Sequence, residues 1–209
     1  MSFREEFKRN NTELKFDNID VETFGCYQCG DETKSQIEIL YYNNDSDFAV
    51  ALATEDPLNE ILLFKSNTKA KTLIDIYNEL LVKKSPKVPA NETWKLDFKA
   101  EDVFEIPILE FNLESDVTDL VGQRILSSLY DTLEISKAIQ RTALIFDEEG
   151  AEVESVAVIS SKSIALIPNE PKPKQLLFDK PYLIVFKKKS ETNPYLMIWI
   201  DNSELMKKK

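Results

Sequence analysis

Apolar and polar positions alternate with period two along much of this chain, which predicts strands. The run Ile37-Glu38-Ile39-Leu40-Tyr41-Tyr42, the turn Asn43-Asn44-Asp45-Ser46-Asp47 and the run Phe48-Ala49-Val50-Ala51-Leu52-Ala53 predict a hairpin with a buried partner strand. Between Thr68 and Lys84 the period changes. Leu73, Ile76, Tyr77, Leu80 and Leu81 fall at i, i+3, i+4, i+7 and i+8, one stripe of an amphipathic helix, which Ser85-Pro86-Lys87-Val88-Pro89 ends. Trp94-Lys95-Leu96-Asp97-Phe98 and the run from Phe104 to Leu113 read as strands, the second bent, bulged or at an edge because Pro107 lacks a ladder donor. A short helix is expected next, capped by Ser115 or Asp116, with Leu120, Val121, Ile125 and Leu126 on its inner side.

The segment from Ile135 to Phe146 reads as a long strand that stops at Asp147-Glu148-Glu149-Gly150. Beyond it, prolines at Pro168, Pro171 and Pro173 keep their stretch out of any central strand, while the run Ala151 to Ile167 before it could form a strand yet is followed by no compact turn. Tyr182-Leu183-Ile184-Val185-Phe186 and Tyr195-Leu196-Met197-Ile198-Trp199-Ile200 then form a hairpin that is apolar on both sides and expected to be buried on both faces. Residues 1–18 are polar and weakly patterned, a loosely ordered lead-in to one domain over 19–209. The fold class predicted is α+β, mainly antiparallel sheet with few helices.

Composition narrows the chemistry. The 209 residues are 43% hydrophobic, enough for a real core, with no apolar run near the ~20 residues that span a bilayer. The N-terminus lacks the basic-then-apolar order of a secretory signal, so a soluble and intracellular location is favoured. A net charge of −11 repels phosphate backbones and anionic lipid heads, and nucleic acid and membrane are not expected partners. Histidine is absent, which removes the commonest acid–base side chain, the Ser/His and Cys/His nucleophile pairs and the commonest metal ligand. No catalytic residue, cofactor or metal is expected, and the chain is not read as an enzyme.

The two cysteines form a CxxC, Cys26-Tyr27-Gln28-Cys29, between Gly25 and Gly30. Such spacing suits a redox dithiol or half of a zinc site, but the other half of a zinc site is missing. Strand-like alternation on either side and the flanking glycines read as a hairpin tip.

Five runs, in order, resemble the C-terminal half of a serpin. Residues 135–152, ending Phe146-Asp147-Glu148-Glu149-Gly150-Ala151-Glu152, look like strand 5 of the family's sheet A entering the hinge of the reactive-centre loop. Phe178-Asp179-Lys180-Pro181-Tyr182 and the strand after it are similar to the family's FxxxPF strand, and Pro194-Tyr195-Leu196-Met197-Ile198-Trp199 to the closing strand. Glu105-Ile106-Pro107-Ile108-Leu109-Glu110-Phe111-Asn112-Leu113 with Asp119-Leu120-Val121-Gly122 resembles strand 6 of sheet A and the helix beyond, and the Ile37 to Ala53 hairpin the paired sheet-B strands.

The resemblance implies that residues 150–173 form an exposed reactive-centre loop with its hinge at Glu148, Glu149, Gly150, Ala151, Glu152, Val153 and Glu154. It also implies a candidate reactive bond between Ile164 and Ala165, or alternatively between Lys162 and Ser163. Two departures shape the functional expectation. The family's first half, which supplies strand 3 of sheet A, has no counterpart here, and inhibition works by inserting the cleaved loop between strands 3 and 5. The hinge carries Val153 and Glu154 where inhibitory members carry small residues, and a buried unpaired Glu154 would cost several kcal/mol. Gln140 also stands where strand 5 often has a histidine. The expectation is a serpin-like interaction or scaffold module, non-inhibitory as a lone chain. The alternative is a serine or cysteine protease inhibitor whose N-terminal half comes from another chain or lies outside this sequence. Either reading expects a protein partner, a second copy or a chain completing the fold, to cover the open edge of strand 5.

Overall fold

The computed structural model describes residues 1–10, 12–68, 72–84, 88–125, 133–150 and 172–209. In chain order its strands are β1 (Lys8–Arg9), β2 (Lys15–Phe16), β3 (Ile19–Asp20), β4 (Thr23–Tyr27), β5 (Ile37–Asn44), β6 (Asp47–Ala53), β7 (Asn59–Lys65) and β8 (Val103–Pro107). There follow β9 (Leu109–Asp116), β10 (Arg124–Ile125), β11 (Leu133–Glu134), β12 (Ile139–Phe146), β13 (Gln175–Leu177), β14 (Tyr182–Lys188) and β15 (Leu196–Ile200). Two α-helices are described, α1 (Asp31–Lys34) and α2 (Leu73–Lys83). The α+β class, dominated by antiparallel sheet, is as the alternation predicts.

Both predicted hairpins lie in one five-stranded antiparallel sheet of order β15-β14-β7-β6-β5. Its central strands are continuously apolar because the sheet is covered on both faces. From β14, Tyr182, Ile184 and Phe186 enter the main core, while Leu183 and Val185 point to the second core under α2. From β6, Phe48, Val50 and Leu52 face the main core, whereas the small Ala49 and Ala51 face the helix. The helix presents Ile76, Tyr77 and Leu80 to that face, the stripe read from sequence. It begins later than Thr68 because Thr72, in extended conformation, caps it and accepts a hydrogen bond from the Asp75 N–H at 3.1 Å. The closing strand β15 is an edge, with Leu196 and Ile198 on the main core and Met197 and Trp199 on the second, so both faces are covered as expected but only partly buried.

A second sheet has order β1-β4-β8-β13, with β13 parallel to β8. Pro107 splits the apolar run that contains it. β8 ends there in this sheet, and β9 starts at Leu109 in a separate two-stranded ribbon with β12. The turn between is held by Ile108, whose N–H donates to the Glu22 carbonyl at 2.9 Å and whose carbonyl accepts from the Lys207 N–H at 3.0 Å. One run of sequence thus serves two sheets.

Four expectations are corrected. Residues 1–18 are no loose lead-in: Phe3, Phe7, Leu14 and Phe16 are buried in the main core, at irregular spacing because the segment is mostly irregular backbone. Cys26 and Cys29 do not tip a hairpin, since β4 and β5 belong to different sheets with α1 between them. Trp94 lies in a 3-10 helix over Ala90–Lys95 behind Pro89, not in a strand, and stacks edge-on against Tyr42 at 6.2 Å. Ser115 and Asp116 finish β9 instead of capping a helix. A single 3-10 turn follows at Thr118–Leu120, and Leu120, Val121 and Ile125 are exposed, while Leu126 lies outside the described residues.

Candidate functional site

Residues 147–150 and 172–177 are the two roots of the segment that the sequence reads as a reactive loop. Of the hinge residues, Glu148, Glu149 and Gly150 are placed. Ala151, Glu152, Val153 and Glu154 lie outside the described residues, as do Lys162, Ser163, Ile164 and Ala165.

The N-terminal root begins at Phe146, fully buried among Phe24 at 5.1 Å, Phe186 at 6.1 Å and Phe3 at 6.2 Å. The chain then turns sharply. The Asp147 N–H donates to the Gly150 carbonyl at 3.1 Å, and the Gly150 N–H returns a bond to the Asp147 carbonyl at 3.2 Å. Gly150 has φ +110, and a Cβ there would lie 2.4 Å from the Met1 carbonyl oxygen, so the turn needs glycine.

The first residues of the chain strap this turn. The Phe3 N–H donates to the Glu149 carbonyl and the Phe7 N–H to the Glu148 carbonyl, both at 2.9 Å. Buried Gln36 fixes the strap in turn. Its Oε1 accepts from the Arg4 and Glu5 N–H groups at 2.7 and 3.0 Å, and its Nε2 donates to the Glu5 carbonyl at 2.8 Å. Arg9 Nε lies 2.8 Å from Oε1 of buried Glu148. Burial raises the Asp147 carboxyl above its ordinary 3.8 and the charge of Glu148 adds to this, against the Glu149 N–H bond and the positive charges of Arg9 and Lys207.

Upstream, β12 pairs with β9 in unbroken register from Ile139↔Asp116 to Phe146↔Leu109. Among the described strands β9 is the one neighbour of β12, and most of the ribbon is exposed, including Leu113, Ile139 and Ile145. A groove of about 750 Å³ runs along it, lined among others by Phe111, Asn112, Ala143, Leu144 and Met206. Its ion pair, Arg141 Nε to Glu114 Oε2 at 2.6 Å, is open to solvent.

The C-terminal root is built differently. Lys174 and Asp102, each with 2% of the side chain exposed, pair at 2.7 Å. The Asp102 carboxylate also accepts from the Lys174 N–H at 2.6 Å, and Lys174 Nζ donates to the Asp97 carbonyl at 2.7 Å. The rings of Trp94 and Tyr42 lie 5.8 and 5.9 Å from the ammonium. Asp45 then accepts from the Gln175 N–H at 3.0 Å and from the Tyr42 hydroxyl at 2.7 Å. Burial, with that hydrogen bond, pushes the Tyr42 phenol well up. Buried Lys65 closes the root, donating to the Leu177 carbonyl at 2.6 Å and to Asp179 at 2.5 Å.

The strap residues Phe3, Phe7, Arg9 and Gln36 and the Lys174–Asp102 pair escape sequence reasoning. The one signal was two phenylalanines four apart in an otherwise charged stretch. Among the described residues no group of His, Cys, Asp and Glu could hold a metal ion. No described helix is long and apolar enough to cross a membrane.

No protein-family model matches the chain, and no curated protein sequence does. Solved structures do. Protease nexin-1 in its native form with heparin is matched with a TM-score of 0.58 and 12% identity, over 96% of this chain and 54% of that one. Thyroxine-binding globulin in complex with thyroxine gives 0.55 and 12%, over 95% and 52%. Serpin48, a highly specific serpin of the insect Tenebrio molitor, gives 0.50 and 14%, over 95% and 51%. The chain therefore has the fold of a serpin C-terminal half, and it spans about half the length of the solved serpins it matches.

Proposed function

We propose that this chain is a serpin-like protein-interaction module, non-inhibitory on its own, that presents residues 151–171 between two anchored roots. The observation that carries the reading is β12, whose one strand partner among the described residues is β9. Insertion of a loop as a new central strand needs a strand on each side, and among the described strands β12 offers one side of such a slot. Backbone N–H and C=O groups along an unpaired edge, beside exposed Leu113, Ile139 and Ile145, favour pairing with another polypeptide. The partner is accordingly a second copy or a chain that completes the sheet. Fold alone does not choose the ligand, since two of the matched structures hold thyroxine and heparin respectively.

A second reading, protease inhibition once another polypeptide flanks β12, draws on the turn at Gly150. It lies directly after β12, where a hinge must lie if the loop is to extend that strand. One experiment separates the two. The protein, together with any polypeptide that co-purifies with it, is cleaved by limited proteolysis within 151–171, and intact and cleaved forms are melted side by side. The interaction reading expects no large rise in Tm on cleavage and no SDS-stable complex with serine or cysteine proteases. A large rise would mean that the loop inserts and would overturn it in favour of the inhibitor.

A further inference from the structure

The chain has two cysteines, and Cys26 and Cys29 are bonded to each other. The disulfide links positions three apart, from Cys26 near the end of β4 to Cys29 in the short connection to α1. It joins no two elements of the fold. β4 is held by backbone pairing to β1 on one side and β8 on the other, independently of the sulfurs. A ring this small removes far less freedom from the unfolded chain than a bond closing a long loop. The fold therefore tolerates its opening.

The two sulfurs are not equivalent. Cys26 is 1% exposed, in the main core with Phe24 and Phe104. Cys29 is half-buried at the rim of that core and is followed by exposed Gly30. Between them Tyr27, the last residue of β4, is exposed, and Gln28 sits at φ +49, in the left-handed region that an unconstrained glutamine avoids. With no third cysteine in the chain, exchange within the protein is closed off, and any exchange takes an external sulfur.

We propose that Cys26–Cys29 is a reversible redox site that exchanges with low-molecular-weight thiols and disulfides and is entered at the Cys29 sulfur. An external thiolate attacks Cys29 Sγ, forming a mixed disulfide and breaking the Sγ–Sγ bond, and the released Cys26 thiolate takes a proton from water. A second external thiolate attacks the external sulfur of the mixed disulfide. This forms the external disulfide and frees Cys29, which is protonated in its turn. Two electrons pass to the protein, and two thiols become one disulfide. The reverse sequence, driven by an external disulfide, closes the ring. The proposal does not rest on the reading of the loop.

The test uses the whole folded chain in buffers of stepped reduced and oxidised glutathione, followed by acid quench, alkylation and intact mass. Circular dichroism reports folding in the same samples. The expected result is two alkyl groups, on Cys26 and Cys29, gained while the protein stays folded and lost again when glutathione disulfide is added. In a Cys26→Ser variant Cys29 takes up one glutathione, roughly tenfold faster than Cys26 does in a Cys29→Ser variant, because buried thiols are inert. A disulfide that opens only when the wild-type chain unfolds would overturn the proposal, as would failure to re-close or faster capture at Cys26.

Discussion

The two segments that flank residues 151–171, the roots, are held by opposite kinds of structure. The C-terminal root runs into the edge strand of a four-stranded sheet and is fixed by the buried Lys174–Asp102 pair and by Lys65. The N-terminal root ends a ribbon of two strands that stands largely in solvent, and only its last residues, from Phe146 to Gly150, are gripped by the core and the strap. Local stability should differ accordingly, because segments with few buried contacts open at low free energy. The contrast assigns fixity to the C-terminal root and freedom to the ribbon before the N-terminal one.

The largest effect is expected at the C-terminal root. Asp102→Ala leaves the Lys174 ammonium buried without its carboxylate, and should cost about 3–5 kcal/mol in denaturant unfolding. The matching change in the ribbon, Glu114→Ala, breaks a pair of similar length that is exposed on both sides, and should cost less than about 1 kcal/mol. Equal costs would erase the difference between the roots. Pairing Asp102→Asn with Lys174→Met sharpens it, since the uncompensated charge is gone and the amide oxygen still accepts from a backbone N–H, so part of the loss should be recovered.

Next in size is the turn at the N-terminal root. Gly150→Ala places a Cβ against the backbone of Met1 and Ser2 at a φ of +110, and should destabilise by about 2 kcal/mol. Gly122 also has positive φ, +83, but its Cβ would meet open space, so Gly122→Ala separates the backbone penalty from the clash. If both changes cost the same by urea midpoint, the strap does not press on the turn.

How much of this was legible follows from where each partner sits in the chain. The β5–β6 and β14–β15 hairpins could be read because strand partners are neighbours in sequence and the alternation repeats on both. Glu148-Glu149-Gly150 could be read as a turn after a strand for the same local reason. Lys174 could not, because its carboxylate is 72 positions away and a lysine among prolines reads as solvated. Phe3 and Phe7 were missed because they pack on Phe24, Phe104 and Phe146 from an irregular segment with no period to detect. The CxxC misled through its flanks, which alternate alike yet feed separate sheets. Leu113 fails differently: its alternation with Leu109 and Phe111 reads as a core face, and in this chain that face opens toward Leu113.

That open face gives a smaller effect. Leu113 is half exposed, and Leu113→Ala should change the stability of the lone chain by less than about 0.5 kcal/mol. If a second polypeptide pairs with the ribbon, the same substitution should weaken that association by more than it weakens folding, measured as a shift in sedimentation with concentration. A large loss of monomer stability would mean that the ribbon is already packed as firmly as the C-terminal root.

The smallest effect is electrostatic and lies at the N-terminal root. Burial, then the neighbouring charge of Glu148, lifts the Asp147 carboxyl above 3.8 in the folded chain, so the native state takes up this proton before the unfolded state does as pH falls. The contribution of Asp147 to stability therefore rises as pH drops through its raised value and is complete below its unfolded value near 3.8. Asp147→Asn removes that charge while keeping an oxygen for the Glu149 N–H, which now donates to Asp147 Oδ1 at 3.2 Å. At neutral pH the variant should be at least as stable as the wild type, and its advantage should shrink toward acid pH in paired denaturation curves. An advantage that grows as pH falls would mean that the strap and Arg9 stabilise the Asp147 carboxylate more than burial opposes it, and the N-terminal root would then be electrostatically as settled as its counterpart.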